Sequence, residues 1–423
     1  MRTILPFIIF ILIFIAIDLY AYKALRLPVS GWSNPLWKNA AYGVYWLSSV
    51  LVYVFIAVAV YRYNRGQDVA DYYFFFMSFG LLMLVFMPKL VVAFFHLFDD
   101  LIHLFKKVAT HFVRTTSPDT PAGEGITRWQ FLTRIGWVLA ALPFLGIIYG
   151  ISSGRYRFRT VSRKLNFAHL PDWADGLRIV HISDIHIGSF FNNHEAVRNG
   201  LDKINALKPD LILFTGDLVN NYAKELDGWE PLLGGLKARL GKYSVMGNHD
   251  YGDYVKWDNK EERDANIQDL HKRHEKIGFK LLLNAHEAID PENQGTPLEI
   301  IGVENWGLGG FSKYGDLNKA LEGTADERFQ VLLSHDPSHW DAEVREKTKI
   351  DLTLAGHTHG MQFGVEIPGF VKWSPVKYRY PRWGGLYTEG RQHLYVNRGF
   401  GYIGFPGRVG MPPEITLLEL HKS

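Results

Sequence analysis

The first 150 or so residues are built from apolar runs too long for an ordinary surface helix, and this limits the chain more than any other feature. Four runs stand out: residues 4–21 (ILPFIIFILIFIAIDLYA), 41–61, 72–98 and 135–151. A bilayer core takes roughly 20 apolar residues as helix. The first two runs fit that length, the third exceeds it, and the fourth is short. Pro88 is expected to kink the third run, and its neighbour Lys89 to snorkel or to face other helices. Trp37, Trp46, Tyr61, Tyr63, Tyr72, Tyr73 and Trp129 lie near the ends of the runs, where interfacial aromatics sit. Read as a signal peptide, the first run lacks a small-x-small cleavage site and is followed by further runs, so it is taken as a retained span. Residues 115–125 (TTSPDTPAGEG) form a loop signal between the third and fourth runs. The expected organisation is a transmembrane domain of about four helices over residues 1–152 and a second domain over 153–423.

Beyond residue 155 charges, Gly and Pro mix with periodic apolar segments, as in a soluble domain. Net charge is only +3, which gives no case for nucleic-acid binding. With no cysteine in the chain, any metal must be held by His, Asp, Glu, Asn or water. Basic residues balance across the two sides of the four runs. The cluster Arg155, Arg157, Arg159, Arg163 and Lys164 leans the reading toward a cytoplasmic C-terminal domain, and would also meet anionic headgroups.

In this second domain, short apolar runs repeatedly end in a turn carrying a metal-ligand residue type. LRIVHI (177–182) leads into Ser183-Asp184-Ile185-His186, and DLILF (210–214) into Thr215-Gly216-Asp217. KYSVM (242–246) leads into Gly247-Asn248-His249-Asp250, FQVLL (329–333) into Ser334-His335-Asp336, and DLTLA (351–355) into Gly356-His357-Thr358-His359-Gly360. Residues 195–207 carry a helical pattern between the first two. Strands alternating with helices imply an α/β sheet, whose sites form beyond the carboxyl ends of the strands. Asp184-x-His186 and His357-x-His359 alternate along extended chain, so each pair can point one way. Mn, Fe and Zn accept such a carboxylate and imidazole mix. Two ions about 3.5–4 Å apart can clamp a phosphate and activate water, and a carboxylate such as Asp217 suits the bridge. Each motif alone has a bland alternative, a turn or a cap; the ordered set of five does not.

SDIHIG, TGDLV, MGNHDYG, LSHDP and AGHTHG together resemble the calcineurin-like metallophosphoesterase superfamily over roughly residues 175–420. GHTHGMQ, LYVNRGFG and PPEITLLEL are similar to its branch of membrane-associated YkuE- and YaeI-related phosphodiesterases, near which lies a pyrophosphatase of UDP-diacylglucosamine. The resemblance implies two mixed β-sheets in a sandwich flanked by helices. It implies one metal on Asp184, His186, Asp217 and His359, and a second on Asp217, Asn248, His335 and His357. His249 would protonate the leaving oxygen or stabilise charge, and Asp250 would orient His249. The implied reaction is hydrolysis of a phosphodiester or phosphomonoester, a lipid-linked one among the candidates, by metal-activated hydroxide. A UDP-diacylglucosamine-type pyrophosphatase is the alternative within the class. A non-catalytic membrane receptor retaining the fold is the alternative outside it, although no ligand position is lost.

Weaker candidates complete the reading. His181 reads as a packed strand residue, and His194 and His339 as surface residues. Asp336 reads as a helix cap before Pro337 or as a support for a ligand. Asn220 and Asn221 read as loop residues, one of which can touch substrate. Residues 361–410 interleave aromatics with Lys and Arg, either as a surface loop or as a basic-aromatic face near the site. Arg398 is the expected contact to a substrate phosphate.

Overall fold

In a bilayer every backbone N–H and C=O must be satisfied within its own segment, and each apolar run of the N-terminal third is helical. The computed structural model describes residues 4–65, 68–112, 128–291, 293, 295–367 and 369–423, with backbone alone at 4–8, 110–112 and 128–130. Four long helices come first: α1 (Ile4–Ser30), α2 (Pro35–Arg65), α3 (Val69–Phe112) and α4 (Arg128–Ser152). Among the described residues three helices are long and apolar enough to cross a membrane: Pro35–Arg65, Val69–Ala109 and Phe131–Ser152. The described part of α1 carries Asp18, Lys23 and Arg26 and is not among them. The loop expected at residues 115–125 lies outside the described residues.

The chain divides into two compact units, Met1–Asn64 with Met77–Tyr149 and Arg65–Phe76 with Gly150–Ser423. In the first, α3 runs through Pro88 without interruption. Lys89 does not snorkel. Its Nζ lies 2.7 Å from Asp18 Oδ1 and 2.5 Å from Ser49 Oγ, and Tyr53 donates to the other Asp18 oxygen at 2.7 Å. Apolar packing of Val52, Leu82 and Phe86 flanks this buried pair. A charge buried among apolar helices persists only when paired, and Asp18 supplies the partner.

Among its described residues the second unit holds fourteen strands, named β1 to β14 in order. They are β1 (Arg159–Phe167), β2 (Leu177–Ile182), β3 (Leu211–Phe214), β4 (Gly241–Ser244), β5 (Lys280–Leu281), β6 (Ala285–Ile289) and β7 (Leu298–Gly302). The rest are β8 (Phe329–Leu333), β9 (Leu352–Ala355), β10 (Val365–Ile367), β11 (Val371–Trp373), β12 (Gly385–Glu389), β13 (Gln392–Val396) and β14 (Glu414–Lys422). One six-stranded sheet runs β1-β14-β2-β3-β4-β5 and the other β12-β13-β9-β8-β7-β6, while β10 and β11 pair by themselves. Both large sheets are mixed. β2, β3, β4 and β5 are parallel with β14 antiparallel to β2, and β7, β8, β9 and β13 are parallel between antiparallel β6 and β12.

The sheets pack face to face through one core of Ile179, Leu211, Leu213, Val245, Ile300, Val331, Leu333, Leu352 and Leu354. The alternate residues Val180, Ile182, Ile212 and Phe214 face the opposite way. They meet Val197, Leu201 and Ile204 of α5 (His194–Ala206) and Leu270 of a later helix, Lys260–Lys276. Burial on both faces is why these parallel strands read as continuous apolar runs. Asn193 caps α5, its side chain accepting from Ala196 N at 3.1 Å. The result is a two-sheet sandwich flanked by helices, with the carboxyl ends of β2, β3 and β4 on one sheet and of β8 and β9 on the other turned to a common edge.

Candidate metal centre

Five strand ends meet at that edge, and backbone hydrogen bonds lace their turns together. Asp184 N donates to Gly216 O at 2.9 Å, His186 N to Asp217 O at 3.0 Å and Gly356 N to His335 O at 2.9 Å. The approach is close enough to demand glycine. A Cβ at Gly216 would lie 2.3 Å from Gly247 N, and one at Gly356 would lie 1.9 Å from Ser183 Oγ. Asp184, His186, Asp217, His357 and His359 themselves have left-handed backbone, with φ of 52°, 46°, 59°, 68° and 51°. Each such residue costs about 1–3 kcal/mol and persists where the surroundings overdetermine it, typically at functional sites.

Two groups of side chains result. Asp184, His186 and His359 form one, and Asp217, His335 and His357 the other. In the first, His186 Nε2 is 3.1 Å from His359 Nε2, which is 3.2 Å from Asp184 Oδ1. In the second, His357 Nδ1 is 3.2 Å from His335 Nε2, and Asn248 Oδ1 lies 2.8 Å and 3.0 Å from those two atoms. Asn248 Nδ2 donates to Tyr254 Oη at 2.7 Å, which turns the amide oxygen toward the histidines. Asp217 Oδ2 faces both groups, 3.5 Å from His186 Nε2 and 3.2 Å from His335 Nε2. The structure therefore brings together Asp184, His186, Asp217, Asn248, His335, His357 and His359.

Protonation follows from burial and neighbours. Burial opposes ionisation of Asp184, but His359 and His335 hold its carboxyl well below the usual carboxylate range. His335 and His249 do the same for Asp217 against its burial. Burial keeps His186 neutral far below its ordinary value and lowers His357 to about 4. Burial also works against charge on His335, but Asp217 beside it pushes it up to about 10. His335 Nδ1 donates to Thr215 O at 2.7 Å, so Nε2 faces the cage. The ionised carboxylates, the amide oxygen and the neutral His186 and His357 form a nest of acceptors that draws positive charge, and the proton held on His335 is such a charge. The donor set fits divalent metal ions, whose ligands must be deprotonated.

The residues placed beside this cage differ from expectation in two respects. Asp250 does not touch the His249 ring. Its carboxylate accepts from the backbone N–H groups of Asp217, Leu218 and Gly247 at 2.8 Å each and from Val219 at 3.2 Å. It clamps the Asp217 turn to the Asn248 turn, and burial together with the Asp217 charge raises it to about 7. His249 is oriented instead by its Nδ1 donating to Asn220 O at 2.8 Å, with its backbone N donating to Asp217 Oδ1 at 2.9 Å. Arg398 is not free to meet a phosphate. It is buried, bonds Glu366 at 2.7 Å and 2.9 Å, and lies over the Trp383 ring. A guanidinium matches a carboxylate in two parallel bonds, and that pairing outcompetes an open position.

Other sequence candidates fall as follows. His181 is buried and meets Thr215 Oγ1 at 3.0 Å. His194 is exposed and stacks on Trp229. His339 is not on the surface; it is fully buried between Ser334 Oγ at 2.9 Å and Glu343 at 3.2 Å. Asp336 accepts from Ser338 N at 2.8 Å, the capping role. Asn220 and Asn221 are buried rather than solvated, because Glu225 accepts from both of their backbone N–H groups at 2.8 Å.

Two residues of the 361–410 segment, read from sequence only as part of a surface loop or of a basic-aromatic face near the site, come to the cage itself. Tyr380 places its hydroxyl 2.8 Å from His357 Nε2. Arg408, buried, donates to the carbonyls of Gly401, Arg398 and Met411 and sets Nη2 3.3 Å from His359 Nδ1. Burial lowers it to about 9. Neither lies in a repeated pattern, so spacing carried no signal for them.

A two-sheet α/β sandwich with buried His/Asp cages at its strand ends defines a metal-dependent hydrolase of phosphoric esters. Comparison with known proteins agrees. Residues 177–361 match the family described as Calcineurin-like phosphoesterase, and residues 1–155 match Probable Calcineurin-like phosphoesterase, transmembrane domain. The chain is 31% identical to "Uncharacterized metallophosphoesterase YkuE" of Bacillus subtilis, over 70% of this chain and 99% of that protein. It is 29% identical to "Transmembrane protein with metallophosphoesterase domain" of Danio rerio, over 73% of this chain and 67% of that protein. A third relative, "Uncharacterized metallophosphoesterase Cj0846" of Campylobacter jejuni, is 26% identical over 97% of this chain and 96% of its own length. The chain belongs to the calcineurin-like phosphoesterase family, and it is a membrane protein.

Proposed function

We propose that the chain is a multi-pass, membrane-anchored phosphoesterase working with two divalent ions, manganese, iron or zinc, on a phosphodiester or phosphomonoester carried by a lipid. Residues 1–152 form the anchor and residues 153–423 the catalytic domain, on the cytoplasmic side. One ion is held by Asp184, His186, Asp217 and His359, the other by Asp217, Asn248, His335 and His357. The observation that carries this reading is the shared oxygen of Asp217, within 3.5 Å of one group and 3.2 Å of the other. Bound there, the ions supply Lewis-acid charge to phosphoryl oxygens and lower the pKa of a coordinated water.

The chain's own part is positional. Asp250 fixes the Asp217 and Asn248 turns through four backbone amides. Asn220 O can only accept, so His249 Nδ1 keeps its proton in both charge states and Nε2 is the atom that gives a proton to the leaving oxygen. Tyr380 holds the ring of His357 through its hydroxyl.

The full chain in detergent, supplied with manganese, is expected to hydrolyse bis-p-nitrophenyl phosphate. Asp217→Asn is expected to abolish turnover and to lower bound metal, measured by elemental analysis. Full activity in Asp217→Asn overturns the two-ion assignment.

A further inference from the structure

Outside the two large sheets, β10 and β11 pair only with each other. Directly opposed residues share a face of a ribbon. Val365 opposes Trp373 and Ile367 opposes Val371, while Glu366 opposes Lys372. In a soluble hairpin the apolar face turns inward. Here the order is inverted. Glu366 turns to the protein, paired with Arg398 at 2.7 Å and Arg159 at 3.4 Å. Lys372 donates to Gly384 O and lies over Trp383 and Tyr387. The apolar side faces out: Val365 and Ile367 are about half exposed, and Phe370 at the turn is 86% exposed. Tyr378 just beyond is 78% exposed, beside exposed Lys377 and Arg379.

A ribbon clamped by its polar face and open on its apolar face is stable only against an apolar medium. The occupant is set by the chain itself. Arg159, which holds Glu366, opens β1 about seven residues beyond Ser152, the end of membrane helix α4. Seven extended residues reach at most about 25 Å. The hairpin base is therefore tethered within that distance of the point where α4 ends. Lys377 and Arg379, a few residues beyond β11, are exposed as well, and cations near an apolar segment suit an anionic lipid surface.

We infer that the β10–β11 hairpin inserts Val365, Ile367 and Phe370 into the headgroup region of the bilayer that holds the helices. β10 begins six residues after His359, so insertion would bring the metal centre within about 22 Å of the headgroups. The partner is a lipid surface rather than a protein, because the same chain already places a bilayer within reach.

The chain has no cysteine, so single-cysteine variants carry one probe each. Phe370→Cys, Ile367→Cys and, as a reference on the Lys260–Lys276 helix, Lys272→Cys are labelled with the NBD fluorophore in the full chain. Each is reconstituted in phosphatidylcholine and phosphatidylglycerol liposomes. The expected result is blue-shifted emission from positions 370 and 367, quenched severalfold more by lipid carrying doxyl near the headgroup than position 272. Emission at 370 and 367 that matches position 272 and resists quenching overturns the inference. So does a blue shift that grows with protein-to-lipid ratio but resists doxyl lipid, which would place a second copy of the chain on the hairpin.

Discussion

At the scale of single residues, the site is governed by which atoms are already committed. The His249 ring is fixed by one carbonyl, and its backbone N–H, not its side chain, steadies Asp217. Removing the imidazole should therefore spare the metal cage. His249→Ala is expected to lower kcat by about 10²–10⁴-fold, the usual worth of a positioned acid, with metal content unchanged by elemental analysis. Loss of metal in step with activity would make His249 a ligand instead. This scale also shows where sequence reading stops. Asp184, His186, Asp217, Asn248, His335, His357 and His359 were legible because each follows a strand and a strand end has one direction. The partners of Asp250 and Arg398 were not, because a carboxylate is equally satisfied by an imidazole or by four amides, and only the folded chain decides. Asp18 was hidden in the same way, one charge inside an apolar run whose partner stands 71 residues away.

At the scale of elements, strands covered on both faces were readable and strands at the margins were not. β3, β8 and β9 are buried throughout, and β2 everywhere but at Arg178. β1 (RTVSRKLNF) is exposed over most of its length and gains its place by backbone pairing with β14, which polar side chains do not advertise. β10 and β11, three residues each, lie in the 361–410 segment that reads as a loop, because strands so short carry no alternation to recognise. The buried histidines between elements also make a prediction. Burial lowers His181 and His274 to about 3 and His339 to about 4. Their folded values lie below the unfolded value near 6.5, so their contribution to stability is complete above about pH 6.5 and declines as pH falls toward 3–4. Each adds a slope of about 1.4 kcal/mol per pH unit over that window. His274 meets Ser244 Oγ at 3.0 Å, far from the metal ligands in sequence. His274→Gln is expected to flatten the acid limb of denaturant-measured stability between pH 6 and 4 by that one-proton slope. An unchanged slope would mean that His274 takes up its proton without unfolding.

At the scale of the whole molecule, the two units keep separate cores. Among the described residues, the buried members of the catalytic unit's clusters begin at Phe158, with Tyr156 packed against them. A chain limited to residues 153–423 is therefore expected to fold, with the circular dichroism of a mixed α/β protein and with bound manganese. Aggregation without metal binding would show that the anchor is needed to complete the fold.

β1 also imposes an order in time. It leaves α4 almost at once, yet its partner is β14, joined to it residue by residue from Arg159 with Glu414 to Phe167 with Lys422. β14 in turn separates β1 from β2. While the ribosome is still translating, the helices can already be inserted, but the first sheet stays open until residues 414–422 have been made. The first sheet of the catalytic unit must then close only once β14 has been made, with its leading end already joined to the helices. A nascent chain stalled before residue 414 would expose the flank of β2, a site for chaperone capture on an otherwise assembled half-sheet.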